Sequence, residues 1–517
     1  MSAPVCAKIL ALLDQFTMTS ADPKPAHSLP PSVRVAILGA GLSGICMGIE
    51  LRRGGIDDFL ILEKASAVGG TWRDNTYPGI ACDVPSHVYS YSFELNPDWS
   101  HSYSSGPEIW DYTERCVDKY GLRPKIHFGC TVREVTFDGA RWNVQLADGR
   151  RITAEVVVSG LGGLHLPNRA ALEGIESFSG ARFHTAEWDH AVPIAGRRVA
   201  IIGTGASTAQ VLPGIAADVA KVTVFQRSAA WVFPRLAADI SESRRARFRR
   251  FPWLMRLYRW YLWVLMDATG TMALRRGSRS SARLRKRGLL HLEQQVRDPA
   301  LRARLTPDYE PGCKRRCISD DYLETFNRDN VELVTEGIAR VEPNGIRDAA
   351  GRLHEVDVIV EATGFRPFDI TDYVSIVGRA GRKLRDAWAK RVEAFRTIMI
   401  PEFPNFFLLL GPNSATGHTS ALIMIESQAR YVRRCLQWMR DEKIEQIDPD
   451  PEVVARYNDR LQRDMQKMVF SGGCNAWYTD SADRNFTLWP YSAFRFLAEQ
   501  WRPKRAEFRT HFGPTRD

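Results

Sequence analysis

Several things are missing from this chain of 517 residues, and each absence removes a class of function. No apolar run is long enough to cross a membrane: "AKILALL" near the N-terminus is short, and Arg256 and Arg259 interrupt "FPWLMRLYRWYLWVLMD" at 251–267. No positive region precedes the first of these, so residues 1–30 read as a loose extension rather than a leader. No C-x-x-C pair occurs among the nine cysteines, whose odd number and irregular spacing predict reduced thiols and a cytoplasmic compartment. No array of short repeats and no low-complexity tract is present. The formal charge of +10 is regional, with many arginines between Arg235 and Arg304, so it does not read as a nucleic-acid stripe.

What is present is a globular composition, 44% hydrophobic and 25% charged, over a length of two to four ordinary domains. "VRVAILGAGLSG" at 33–44 is an apolar, β-branched run broken by Gly39, Gly41 and Gly44 and followed by a helical pattern. A side chain at Gly39 would obstruct the turn, one at Gly41 would hold a pyrophosphate away from the backbone, and one at Gly44 would separate helix from strand. The helix N-terminus faces the phosphates. "FLILEK" then ends a second strand at Glu63, where a carboxylate accepts both hydroxyls of a ribose.

A second copy, "RRVAIIGTGASTAQ" at 197–210, keeps Gly203 and Gly205 but has Thr208 at the third glycine, a change expected to loosen helix against strand. The strand "KVTVFQRS" ends in Gln226, Arg227 and Ser228 instead of a carboxylate, and a guanidinium suits a 2′-phosphate. One carboxylate and one arginine imply two dinucleotides, FAD first and NADPH second. "EVDVIVEATGFRPFD" at 355–369 returns the chain from the second unit to the first. The expected architecture is α/β, with two Rossmann-like dinucleotide-binding domains, the FAD domain interrupted by the NADPH domain, and a helical insertion. Its boundaries fall at 31–165 for the first FAD part, 166–364 for the NADPH domain with the insertion at about 236–300, and 365–517 for the second FAD part and C-terminal loops.

Two further stretches resemble the Baeyer–Villiger monooxygenases. "FSGARFHTAEWD" at 178–189 has the form F-x-G-x-x-x-H-x-x-x-W-D, and "GGTWRDNTYPGIACD" at 69–83 carries Gly70, Trp72, Tyr77, Pro78, Gly79 and Asp83 at that family's spacing. The resemblance runs from about residue 33 to residue 500. It implies an oxygen atom from O2 inserted beside the carbonyl of a hydrophobic ketone, through a flavin C4a-peroxide, to give an ester or lactone. In "PGCKRRCISDDYLETFNRDNVELV" at 311–334 it places Lys314 at the NADPH 2′-phosphate and Arg315 at the catalytic cation, with Asp83 orienting that cation; Arg316 stands where many relatives have proline. Ser43, Thr71, Trp72, Tyr89 and Val132 complete the expected flavin set, and Thr204, Ser207, Thr208, Ser228 and Trp477 the nicotinamide set, with no metal ligand. His184 and Trp188 fall just before the second unit and read as a strap between domains rather than as reacting groups. Competing readings are an N- or S-oxygenating flavin monooxygenase, which the Trp188-Asp189 ending disfavours, a disulfide reductase, which needs a cysteine pair beside the flavin, and a non-catalytic NADPH sensor.

Overall fold

The computed structural model describes residues 29–367, 370–474, 479 and 484–512. Residues 1–28, most of the expected extension, and Trp477 lie outside the described residues.

Twenty strands are described, and two parallel-rich sheets organise them. The first contains β1 (Ser32–Leu38), β2 (Phe59–Leu62), β3 (Ile126–His127), β4 (Val132–Phe137), β5 (Trp142–Leu146), β6 (Arg151–Ser159), β17 (Ser375–Val377) and β18 (Phe406–Leu408), in the order β17-β4-β5-β6-β1-β2-β3. β6 is long enough to serve two partners on one side. Its first half pairs antiparallel with β5, and its second half pairs parallel with β18. The apolar run of β1 is buried on both faces, as a central parallel strand must be.

The second sheet is wholly parallel: β7 (Ala181–His184), β8 (Arg198–Ile202), β9 (Lys221–Phe225), β12 (Val331–Val334) and β16 (Val358–Glu361), ordered β12-β9-β8-β16-β7. A small parallel pair, β10 (Val232–Phe233) with β11 (Cys317–Ile318), hangs beside it. Strands β13 (Ile338–Glu342), β14 (Gly345–Asp348) and β15 (Leu353–Glu355) form an antiparallel meander, and β19 (Ile444–Pro449) pairs with β20 (Phe508–Phe512). The chain leaves the first sheet after β6 and returns after β16. The two crossings run side by side, with Asn168 N donating to Gly364 O at 2.9 Å and Arg366 N to Leu166 O at 3.0 Å.

Each sheet presents a strand–turn–helix. Helix α1 (Leu42–Arg53) follows β1, a single turn α2 (Thr71–Asp74) follows β2, and α3 (Ala206–Ile215) follows β8. The insertion after β10 is helical, as expected: α4 (Glu242–Arg250), α5 (Pro252–Ala273) and α6 (Arg279–Gln295). Ser241 and Ser278 cap α4 and α6 by accepting from backbone N–H groups, and Pro252 opens α5, where its missing N–H costs nothing. A further long helix, α7 (Ala421–Asp441), lies against α1 and β19.

Candidate active site

The two glycine turns are built alike. Gly39 has φ +94°, and a Cβ there would stand 3.0 Å from the Gly160 carbonyl oxygen at the end of β6. Gly203 has φ +116°, and a Cβ would reach 2.5 Å from the Ala362 oxygen at the end of β16. Gly44 is required by packing, since a Cβ would fall 1.9 Å from the Gly39 oxygen. Gly41 and Gly205 differ from these. Both have extended backbone that any residue adopts, at φ −79°. A Cβ on Gly41 meets only Gly70 Cα, at 3.7 Å, and one on Gly205 meets nothing within 4 Å. The fold itself does not demand glycine at these two helix N-termini, so the cleared space fits a group from outside the chain, as a pyrophosphate cradle does.

Around the first turn, the Glu63 carboxylate closes β2 and is fixed by Ala40 N (2.8 Å), Ala65 N (3.0 Å) and Arg73 (3.3 Å). Ser43 is buried in the first turn of α1. Thr71 and Trp72 sit on α2, where Thr71 Oγ1 donates to Leu164 O at 3.5 Å. Trp72 Nε1 donates to Tyr89 Oη at 3.0 Å, with the rings edge to face. Val132 opens β4 with its side chain in the apolar core, which leaves only its backbone for a ligand.

Around the second turn, Thr204 Oγ1 donates to Ser228 O at 2.8 Å, and Ser207 lies in the first turn of α3. The expected loosening at Thr208 is corrected by its geometry. The side chain is fully buried, and its hydroxyl donates to Gly203 O at 3.0 Å, tying helix to turn. At the end of β9, Lys314 Nζ donates to Ser228 Oγ at 2.9 Å. Burial and then the Arg227 cation lower the pKa of Lys314, against the pull of Asp308. The Arg227 charge acts on Lys314, which is bonded to the Ser228 hydroxyl, and Arg227 is exposed, an arrangement that an anion would relieve.

The run Lys314–Arg316 is positioned by β11, which starts at Cys317 and pairs with β10. Its three cations go three ways. Lys314 turns to Ser228, the Arg315 Nη2 contacts Asp83 Oδ2 at 2.5 Å, and Arg316 donates to Gly417 O at 2.6 Å. Arg315 stays half exposed while its carboxylate partner is only 20% exposed. Asp83 is brought there because residues 77–83 lie on α3. Gln210 accepts from Tyr77 Oη at 3.0 Å and donates to Ala81 O at 2.9 Å, while Gly79, at φ +81°, lets that loop approach the Gln210 backbone. Burial pushes the Tyr77 hydroxyl up to about 12, so it remains a donor. Sequence reasoning missed Gln210, since nothing in its own neighbourhood marks it.

Two expectations change. "FHTAEWD" is not a strap outside the second unit: Ala181–His184 form β7, an edge strand of the second sheet, paired to β16. His184 is fully buried, accepts from Ala186 N through Nδ1, and meets the Phe365 ring edge to face. Burial, then the Arg169 charge, lower its pKa and favour the neutral ring. Nor are all the thiols reduced. The fold brings the Cys313 and Cys474 Cα atoms to 6.1 Å and the pair forms a disulfide, one residue ahead of Lys314. Cys46, Cys82, Cys116, Cys130, Cys317 and Cys435 are free and buried.

Two glycine turns, one backed by a carboxylate and the other by an arginine–lysine pair, with an Arg–Asp couple between them, define an oxidoreductase of the two-dinucleotide class. Residues 36–251 match a family model described as pyridine nucleotide-disulphide oxidoreductase. A Baeyer–Villiger monooxygenase of Pseudomonas aeruginosa is 42% identical over 483 residues, covering 93% of this chain and 91% of that protein. Among solved structures, an oxidised steroid monooxygenase bound to NADP superposes with a TM-score of 0.82 at 29% identity, over 93% of this chain and 100% of that one. OTEMO in complex with FAD and NADP gives 0.83 at 26% identity, over 93% and 100%. The chain belongs to the Baeyer–Villiger monooxygenases.

Proposed function

We propose that this chain, holding FAD and NADPH, uses O2 to insert one oxygen atom beside the carbonyl of a hydrophobic ketone, giving an ester or lactone. The observation that carries this reading is the divided run Lys314–Arg316, in which Lys314 turns to Ser228 beside Arg227 and Arg315 meets Asp83. Gly39, Gly41, Ser43, Gly44, Glu63, Thr71, Trp72 and Tyr89 would hold FAD, and Gly203, Thr204, Gly205, Ser207, Arg227, Ser228 and Lys314 would hold NADPH. When bound, these two groups supply the reducing equivalents and the activation of O2.

The chain's own part is electrostatic. Arg315 offers a fixed cation to the negative charge that grows on the carbonyl oxygen as the new C–O bond forms. Asp83 holds the guanidinium in place, so little reorganisation is needed when that charge appears. Arg316 is occupied by the Gly417 carbonyl and supports the loop at 411–420 rather than the reacting atoms. No helix among the described residues is long and apolar enough to cross a membrane. A cytoplasmic setting is the reading that NADPH supply and six buried free thiols support, with the Cys313–Cys474 pair as its one contrary feature.

The test is a ketone panel followed by NADPH absorbance and product analysis. NADPH consumption should match ester formation for at least one apolar ketone. Consumption that yields hydrogen peroxide alone across the panel, or faster conversion of amines and sulfides than of any ketone, would reject the reading.

A further inference from the structure

Helix α5 carries an apolar stripe that the rest of the described protein leaves uncovered. Trp253, Leu257, Trp260, Tyr261, Leu265 and Met272 are 45–60% exposed, and their spacing of three, four and seven residues aligns them on one face. The 22-residue helix is about 33 Å long at 1.5 Å per residue, so the stripe is extended and not a local bump. Scattered exposed leucines are ordinary, whereas a row of tryptophan and tyrosine on one helix marks a contact surface.

The stripe cannot roll inward, because other side chains of the same helix, Arg259 and Asp267, are committed to buried polar contacts. Arg259 donates to Ser90 O at 3.3 Å and lies 3.9 Å from Glu426. Asp267 accepts from Ala493 N at 2.7 Å and pairs with His418 at 3.0 Å. Gly270 lies so close to His418 that a Cβ would stand 2.3 Å from its side chain. Breaking these contacts would leave charges buried without partners, which is strongly unfavourable.

Charge decides what covers the stripe. Residues 241–290 contain fourteen Lys and Arg against Glu242 and Asp267, a larger positive excess than the +10 of the whole chain. The exposed Arg247, Arg249, Arg250 and Arg256 lie toward one end of α5, Arg275, Arg276 and Arg279 lie beyond the other, and Arg283, Arg285, Lys286 and Arg287 follow along α6. A second copy docked by a two-fold axis would set this cationic field against itself. An aromatic stripe with arginines at both ends suits an anionic lipid surface, where Trp and Tyr settle at the headgroup level and each nearby cation adds attraction. The helix is not long and apolar enough to cross a membrane, so on such a surface it would lie in the interface plane.

We propose that α5 docks this protein, peripherally and reversibly, on the surface of an anionic bilayer, with Trp253, Trp260 and Tyr261 inserted at headgroup depth. The proposal does not depend on which reaction the enzyme catalyses. The full-length holoenzyme is floated with vesicles of phosphatidylcholine containing about 30% phosphatidylglycerol, and with pure phosphatidylcholine, at low and high salt. Expected is flotation with the anionic vesicles only, lost at high salt, with tryptophan emission quenched by brominated acyl chains. Trp253→Ser with Trp260→Ser, and separately Arg250→Glu with Arg256→Glu, should each lower the bound fraction at least roughly tenfold. The proposal is overturned if the parent protein stays with the soluble fraction, if it floats equally with neutral vesicles, or if the double tryptophan variant floats like the parent. It is overturned equally if sedimentation shows a parent dimer that the tryptophan variant converts to monomer, since a second copy would then be what covers the stripe.

Discussion

Arg315 and Asp83 are separated by 232 positions in the chain, and their side chains meet at 2.5 Å. The contact exists because the loop at 77–83 is fastened to α3 by Gln210, while β11 sets the direction of the residues just before it. A guanidinium held by a carboxylate, yet half open, is suited to a substrate charge that appears only during reaction.

Replacing Arg315 by alanine should therefore separate reduction from oxygen insertion. Purified Arg315→Ala should retain FAD and oxidise NADPH, with ester formation lowered roughly 100-fold and hydrogen peroxide released in its place. Arg316→Ala removes a bond to the Gly417 carbonyl and should cost far less ester formation. If the two phenotypes are exchanged, the catalytic cation is Arg316.

As proposed above, the cluster of Arg227, Ser228 and Lys314 would set the choice of nicotinamide. Loss of one charge-assisted bond, about 1.5–3 kcal/mol, should raise KM for NADPH at least about tenfold in Arg227→Ala and leave KM for NADH nearly unchanged. Lys314→Met should act in the same direction. A preserved NADPH/NADH ratio in both variants would take this cluster out of the phosphate site.

Gly41 offers a separation of fold from ligand. Its backbone is extended and a Cβ meets nothing closer than 3.7 Å, so Gly41→Val should fold with the melting temperature of the apoprotein. The branched side chain would occupy the cradle, and the protein should purify colourless. Stoichiometric yellow flavin in this variant would refute the assignment of the first turn.

The glycine turns were legible in the sequence because three of their glycines carry constraints of the fold, a positive φ at Gly39 and Gly203 and a close approach at Gly44, while Gly41 and Gly205 keep the spacing of a phosphate cradle. The α/β architecture and the interruption of one unit by the other followed from the order of those turns, and the helical insertion from the amphipathic run at 251–267. Contacts made by partners far apart in the chain were less legible. Gln210 looks like any helix residue until the loop at 77–81 is laid on it, and Cys313 with Cys474 are 161 positions apart. Strand β7 was hidden for another reason: it has four residues and lies at a sheet edge, too short to show a period. The Arg315–Asp83 couple was expected through family resemblance alone, since neither neighbourhood by itself names the other.

Asp448 gives a pH-dependent prediction far from the reaction. It is buried on β19, and burial raises its carboxyl to about 6, with Glu402 adding to the rise and the Glu402 N–H, Arg379 and Arg509 opposing it. In the unfolded chain the group titrates near ~3.9. Below that pH both states are protonated and the carboxyl imposes no cost. Between about 4 and 6 the unfolded chain ionises first, so stability falls as pH rises through this window. Above it the charged, buried carboxylate leaves a constant deficit on the order of 2–3 kcal/mol. Asp448→Asn keeps an oxygen for the Glu402 N–H, which donates at 2.9 Å, and removes the charge. Its melting temperature should exceed the parent's by a few degrees at pH 8 and equal it at pH 4. An increase of the same size at both pH values would show that the side chain acts through packing and not through its titration.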